Sequence, residues 1–340
     1  MATPPPRATI KDVAAEAGVS VAAVSKVLRS AYGVSDQMRE RVTTAIDKLN
    51  YRPRAGARAM RGHSYSIGVI LVDFSSPFQF EIAQAIADEL ENTDYHDLIV
   101  NGRLDPDRYA KRLEELIDLQ VDGLILVAPR LDEKLLARFS RTLPIVTIAL
   151  HGAASSFDTV VTDEALGARL MIDHLAGLGH ERIAHITMPS TTTEQNFKLS
   201  HTARLQGYTD AMEAHGLTPD VITTAYSESG GFDAVHRVTK RKHPPTAIFA
   251  GADSAAFGAL RAADELGLHV PDDLSITGYD NVHTAGLSRV SLTTIDESGI
   301  QTGQIAIRLL LERIDGRKDS VHEVITPRLV ARSTSGPARS

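Results

Sequence analysis

Thr9-Ile10-Lys11-Asp12-Val13-Ala14-Ala15-Glu16-Ala17-Gly18-Val19-Ser20-Val21-Ala22-Ala23-Val24-Ser25-Lys26-Val27-Leu28 reads as two short helices joined by a tight turn. Ile10, Val13, Ala14 and Ala17 fall on one face at helical spacing. Gly18 supplies the turn, where a positive φ costs a glycine nothing. Ser20 suits the N-cap of a second helix, in which Val21, Val24 and Leu28 recur at i, i+3 and i+7. Two such helices on a glycine turn make a helix-turn-helix, whose second helix enters the major groove of DNA.

The charge distribution points the same way. The chain carries a net −7, yet residues 1–62 hold eleven Lys and Arg against five Asp and Glu. A small basic module on an acidic body suits nucleic-acid binding by the module alone. Ser35 can cap a third helix running to about Leu49, with Val42, Ile46 and Leu49 facing inward. A short basic stretch follows, from Asn50-Tyr51-Arg52-Pro53-Arg54 to Gly62. Proline at a first helical position favours a helix there, while Gly56 weakens it by about 1 kcal/mol. A linker that folds only on DNA is the expectation.

At 340 residues the chain can bury more than one core. It has no cysteine, which excludes disulfides and thiolate metal sites. No apolar run is long enough to span a bilayer, and the proline-rich start lacks the apolar segment of a signal peptide. A cytoplasmic protein with no membrane partner is expected, with residues 1–8 as a disordered arm. Beyond Gly62 the pattern becomes repeated βα. Ile67–Val72, Leu98–Val100, Gly123–Val127 and Ile145–Ile148 read as buried parallel strands between helical stretches. The alternation restarts after Asp163, with strands at Ile183–Ile186, Ala247–Ala250 and Leu274–Gly278. Two α/β units of similar size suggest two lobes around a ligand cleft at the carboxyl ends of parallel strands.

Signatures of catalysis are missing: there is no G-x-S-x-G, no P-loop and no G-x-G-x-x-G. The thirteen histidines show no zinc spacing, so neither metal nor cofactor is expected. Gly177-Leu178-Gly179 reads as a helix C-cap, with His174 and His180 at that helix end. Asp253 and Asp280 follow strands, so both should stand at the cleft, where a carboxylate accepts hydroxyl protons. Capping of the following helix is the alternative for each. Arg204 offers a planar fork for ligand oxygens.

The segments Thr9–Ala14, Ala17–Ser20, Val24-Ser25, Val34-Ser35, Arg39 and Leu49–Pro53 closely resemble the lactose-repressor (LacI/GalR) family of bacterial transcription regulators, and the likeness runs to about residue 334. The resemblance implies an all-α helix-turn-helix DNA-binding headpiece plus an α/β periplasmic-binding-protein-like (type I) two-lobe sensor domain. The implied division is a headpiece over 9–52, a hinge helix over 53–63, an effector-binding and dimerisation domain over 64–335, and a tail over 336–340. Lobe 1 would take about 64–162 and 294–321, and lobe 2 about 163–293 and 322–335. The crossings then fall near Val161–Asp163, Leu292–Thr294 and Ser320–Glu323.

Residue by residue, the resemblance implies a homodimer that binds double-stranded palindromic operator DNA. Contacts are expected from Thr9, Ser20, Val21, Ala22, Ser25, Lys26, Arg29, Tyr51, Arg54, Ala57, Arg58 and Met60. Val21 and Ala22 suit thymine methyls, Lys26 a guanine and Ser25 a phosphate. Met60 stands where a leucine usually wedges into the minor groove. The effector set is expected to be Asp73, Phe78, Gln79, Lys198, Ser200, Arg204, Tyr226, Asp253 and Asp280. Two departures stand out: Ala252 precedes Asp253 where sugar-binding relatives often carry Asn, and Ala225 falls where an aromatic stacks, with Tyr226 beside it. A sugar is the expected effector, with a purine or other metabolite acting as co-repressor the alternative. A transport-type solute-binding protein and an enzyme are the competing classes. The first predicts a signal peptide and no helix-turn-helix, and the second predicts reactive groups in the cleft.

Overall fold

The computed structural model describes residues 8–28, 32–51, 63–152, 156–189 and 199–339. The chain divides into two compact units, Met1–Ser64 and Tyr65–Ser340.

In the first unit, α1 (Ile10–Ala17), α2 (Val21–Leu28) and α3 (Asp36–Lys48) surround a core of Val13, Ala14, Ala17, Val24, Val27, Val42, Ala45 and Tyr51. Each boundary has a local cause. The Asp12 carboxylate accepts from the Thr9 backbone N–H at 2.7 Å and the Thr9 hydroxyl at 2.8 Å, closing a capping box. Gly18 ends α1 at φ 63 and lets the Val19 N–H reach the Ala14 carbonyl at 3.0 Å. Ser20 accepts from the Ala23 N–H and Ser35 from the Met38 N–H, opening α2 and α3.

The second unit contains two six-stranded sheets. The first runs in the order β11 (His322–Ile325), β5 (Asp158–Thr162), β4 (Ile145–Ile148), β3 (Gly123–Val127), β1 (Ser66–Leu71), β2 (His96–Asn101), with all neighbours parallel. On one face, α4 (Pro77–Leu90) and α11 (Gly299–Ile314) bury Ile82, Ile86, Ala306 and Leu310 against it. On the other, α5 (Pro106–Asp118) and α6 (Glu133–Phe139) bury Tyr109, Leu113, Leu116 and Leu136.

The second sheet runs β12 (Arg328–Val330), β10 (Thr293–Asp296), β9 (Ser275–Asp280), β8 (Ala247–Ala250), β6 (Ile183–Thr187), β7 (Asp220–Thr223), with only β12 antiparallel. The helices α7 (Glu164–Gly177) and α8 (Ser200–Ala214) cover one face, and α9 (Glu228–Val238) and α10 (Asp253–Glu265) the other. α9 and α10 approach backbone to backbone. A Cβ added at Gly231 would collide with the Ala255 carbonyl, and one at Gly258 with the Glu228 carbonyl. Gly231→Ala or Gly258→Ala must therefore push the helices apart and should cost about 1–3 kcal/mol in denaturant melts. An unchanged midpoint in both would contradict this packing.

The chain crosses between lobes three times, but two crossings fall later than the sequence suggests. β5 ends the first stay in lobe 1 at Thr162. β10 pairs with β9, so the second crossing follows Asp296 rather than Leu292–Thr294. β11 pairs with β5 in lobe 1, so residues 322–325 belong there and the last crossing lies between Ile325 and Arg328. A strand of three or four residues carries no sign in sequence of which sheet accepts it, which is why these bounds shift. The C-terminal residues also do more than trail. The Gly336 N–H donates to Ser275 Oγ at 3.1 Å, its carbonyl lies 3.0 Å from His180 Nε2, and the Ala338 N–H donates to the Leu178 carbonyl.

Candidate functional site

A cavity of about 220 Å³ lies between the two sheets of the sensor unit. That exceeds the roughly 150 Å³ that admits benzene in an apolar protein cavity, so a ligand of one or two rings fits. From lobe 1 its wall includes Asp73, Phe78, Gln79, Leu104, Arg130 and Val160; from lobe 2 it includes Ser200, Arg204, Tyr226 and Asp280. Glu297, on the second crossing, completes the floor.

Each side chain is placed by a local device. Ser76 caps α4 and Pro77 opens it, which sets Phe78 and Gln79 in the first turn beside the end of β1. The Gln79 Oε1 then accepts from the Val72 N–H at 2.8 Å, tying helix to strand end. Asp73 accepts from the Ser75 backbone and hydroxyl, each at 2.8 Å. Asp280 ends β9 at φ 114, a conformation costly for a residue with a Cβ and one that marks functional positions. Tyr226 sits beneath Gly251, its hydroxyl 3.5 Å from that of Thr187.

Arg204 is more occupied than its sequence position suggests. It is only 4% exposed. Its Nε donates to Glu164 Oε2 at 2.9 Å, a terminal nitrogen donates to the Gly251 carbonyl, and the other lies 3.9 Å from Glu297. The guanidinium carbon stands 3.4 Å from the Tyr279 ring centroid. Arg204 lines the cleft, but its hydrogen bonds go to protein. Around it the carboxyls are crowded: burial first, then the neighbouring Glu297, pushes Asp280 well above the usual carboxylate range. Burial, then Glu164, pushes Glu297 up to about 7.

Asp253 is not a cleft residue. It sits fully buried at the start of α10, where its carboxylate accepts from the Val282 N–H at 2.9 Å and the Thr294 hydroxyl at 2.7 Å. It ties the turn after β9 to β10, while its neighbours Gly251, Ala252 and Ser254 line the cavity. Lys198 lies outside the described residues. Asp73, Phe78, Gln79, Ser200, Arg204, Tyr226 and Asp280 do line one cavity. The sequence reading misses Glu297, Glu164 and Arg130. Glu297 had one available signal: an acid directly after a strand, Thr293–Asp296, and just before a glycine-started helix.

In the headpiece, Val21, Ala22 and Lys26 share the exposed side of α2, as a DNA-reading helix requires. Ser25 is 7% exposed and Tyr51 8%. Ser25 thus sits on the inner side of α2 and Tyr51 in the headpiece core. Thr9 and Ser20 spend their hydroxyls on caps. Arg29, Arg54, Ala57, Arg58 and Met60 lie outside the described residues.

Comparison with known proteins agrees with both halves. Residues 9–54 match the model of the bacterial regulatory proteins of the lacI family, and residues 172–335 match the periplasmic binding protein-like domain. An HTH-type transcriptional repressor PurR of Proteus mirabilis is 34% identical over 333 residues, covering 96% of each chain. The chain belongs to the LacI family. Among solved structures, the lac repressor dimer bound to operator and the anti-inducer ONPF is similar to this LacI-family chain at a TM-score of 0.81 and 25% identity, covering 97% of it and all of the other. A LacI-family regulator from Enterococcus faecium with bound ribose matches at TM-score 0.71 and 26% identity, over 81% of this chain and all of its own. The headpiece and the two-sheet sensor are therefore those of a LacI-family transcriptional regulator. Among the described residues no helix is long and apolar enough to cross a membrane, and no cluster of three metal-ligating side chains occurs.

Proposed function

We propose that this LacI-family regulator is a repressor that binds a palindromic operator as a homodimer, with its hold on DNA set by a small molecule in the interlobe cleft. The naming of the 34%-identical relative as a repressor and the operator-bound lac repressor dimer as a neighbour support the sign and the dimer. For effector control, one observation carries the reading: residues expected from two separate lobes line one ring-sized cavity. A ligand there touches both lobes at once, so it can bind two lobe arrangements with different affinity, which is what allosteric control requires.

The lining favours a flat nitrogen heterocycle of purine-base type. Phe78, Leu104, Val160 and Met188 offer apolar walls, while Asp280 and Glu297 stand among polar groups that both lobes contribute. A heterocycle has apolar faces and a polar edge, whereas a sugar presents hydroxyls around its whole ring. Sugar chemistry is the second reading, favoured by the ribose-bound relative. Calorimetry against purine bases, ribose and disaccharides separates the two, and an operator gel-shift with each binder fixes the sign of its effect. If no member of either class bound, the effector assignment would fail.

Operator specificity is assigned to the exposed face of α2. Lys26→Ala should relax preference at one base pair per half-site, a loss of about 1–3 kcal/mol of discrimination. Selection from a randomised operator pool measures this, and an unchanged preference would remove Lys26 from the base-reading set.

A further inference from the structure

Away from the three crossings, direct contacts join the lobes on both flanks of the cleft. On one flank the Glu81 carboxylate, on α4 of lobe 1, accepts from the His283 backbone N–H of lobe 2 at 3.1 Å, although the two residues lie 202 positions apart. On the other, Leu150 of lobe 1 forms a short antiparallel bridge with Leu199 of lobe 2, and His151 Nε2 lies 3.2 Å from the Ser200 hydroxyl. Leu150 packs with α5 and α6, so the two ties stand on opposite faces of the first sheet.

Local structure accounts for the Glu81 tie. His283 opens a single 3-10 turn, His283–Gly286, and is preceded by Val282, whose apolar side chain cannot accept from the turn's first N–H. The acceptor comes instead from the opposite lobe, as a carboxylate, which makes the stronger class of hydrogen bond. Glu81 is half-buried, and its stem is held within lobe 1. A Cβ added at Gly299, the first residue of α11, would lie 3.2 Å from the Glu81 Cβ and 3.1 Å from the Phe78 ring. Only the outer bonds of Glu81 can therefore follow His283 if the lobes separate.

Both ends of this bond adjoin the walls of the cleft. Phe78 precedes Glu81 by three residues on α4, and Asp280 precedes His283 by three after β9. Phe78 and Asp280 line the cavity, and Glu81 stands outside it. Between Asp280 and His283, the Val282 N–H is fixed on the Asp253 carboxylate at 2.9 Å. We propose that Glu81 is a positioning residue that latches the two lobes: by accepting the His283 N–H it holds the Phe78 wall and the Asp280 wall at one spacing. Its bearing on control rests on reading the cleft as the effector site. A ligand that touches both walls meets them already spaced, and an arrangement with the lobes apart must first give up this bond. Latch and ligand therefore favour the same arrangement.

Amide hydrogen exchange on the full-length chain without effector tests the latch. Glu81→Ala removes the acceptor and should raise exchange about tenfold in peptides covering His283. The tie on the far flank breaks in the same lobe separation, so peptides covering Leu150 and Leu199 should also exchange faster, by about three- to tenfold. Glu81→Gln keeps a side-chain carbonyl as acceptor and should stay within about twofold of wild type on both flanks. Strands β3 and β8, each inside one lobe, should be unchanged in either variant. Acceleration confined to His283 would reduce Glu81 to a local cap of the turn. Acceleration at β3 and β8 as well would make it a residue of general stability. Either result, or no acceleration, or a glutamine variant as fast as the alanine one, would overturn the proposal. No effector enters this experiment, so its failure and a failed effector screen remain distinct results.

Discussion

Deleting residues 1–62 should abolish operator binding, lowering affinity at least about 10³-fold, while the remaining chain keeps its fold. Residues 65–340 form their own compact unit with four apolar clusters, and none of these uses a headpiece side chain. The truncated chain should therefore melt cooperatively. The headpiece also carries the positive charge on an otherwise acidic chain. If a dimer neutralises about eight phosphates, the full chain should lose affinity with a slope of roughly −7 in log K against log salt. Operator titrations by fluorescence anisotropy at several salt concentrations measure both effects. Operator binding retained by the truncated chain would mean the sensor unit itself holds DNA, and the division of labour argued here would fail.

The second large effect concerns Arg204. Arg204→Ala should destabilise the sensor unit by about 3–5 kcal/mol, read from the denaturant midpoint. Its guanidinium is bonded to Glu164 and to the Gly251 carbonyl and covers the Tyr279 ring. Removing it leaves Glu164 and Glu297, 2% and 5% exposed, without their cation. The loss should be smaller at pH 5, where Glu297 carries its own proton. A fork devoted to ligand would behave oppositely, with effector affinity lost and the midpoint unmoved. That outcome would restore Arg204 as a direct contact and overturn the internal-pair assignment.

Legibility in the sequence followed the length and regularity of the elements. The headpiece could be read almost residue by residue, because Gly18, Ser20 and Ser35 fix turns and caps through their own chemistry. The apolar strand runs were equally plain. Short strands were not: β10, β11 and β12 have three or four residues each, and sheet membership depends on partners distant in the chain. At the site, the sequence supplied residues but not their partners. Asp280 could be named from its position after a strand, whereas Phe78, Gln79 and Tyr226 came from the family resemblance alone. That Arg204 is satisfied by Glu164, that Asp253 points at Thr294, and that Ser25 and Tyr51 face inward depend on which side of an element meets its neighbour. No spacing rule reports that for polar side chains.

The placement of β11 and β12 has a consequence for how this protein is made. Each sheet takes one edge strand from residues 322–330, β11 beside β5 and β12 beside β10. The segment beyond them seals the second lobe through Gly336 and Ala338. On the ribosome, neither lobe can therefore complete its sheet until residues 322–330 have emerged, long after the headpiece helices have been made. A premature stop before residue 322 leaves a polypeptide with an intact DNA-reading module attached to two sheets with open edges. Such edges are templates for pairing with other chains, so truncated products of this gene should aggregate rather than persist as soluble unregulated repressors.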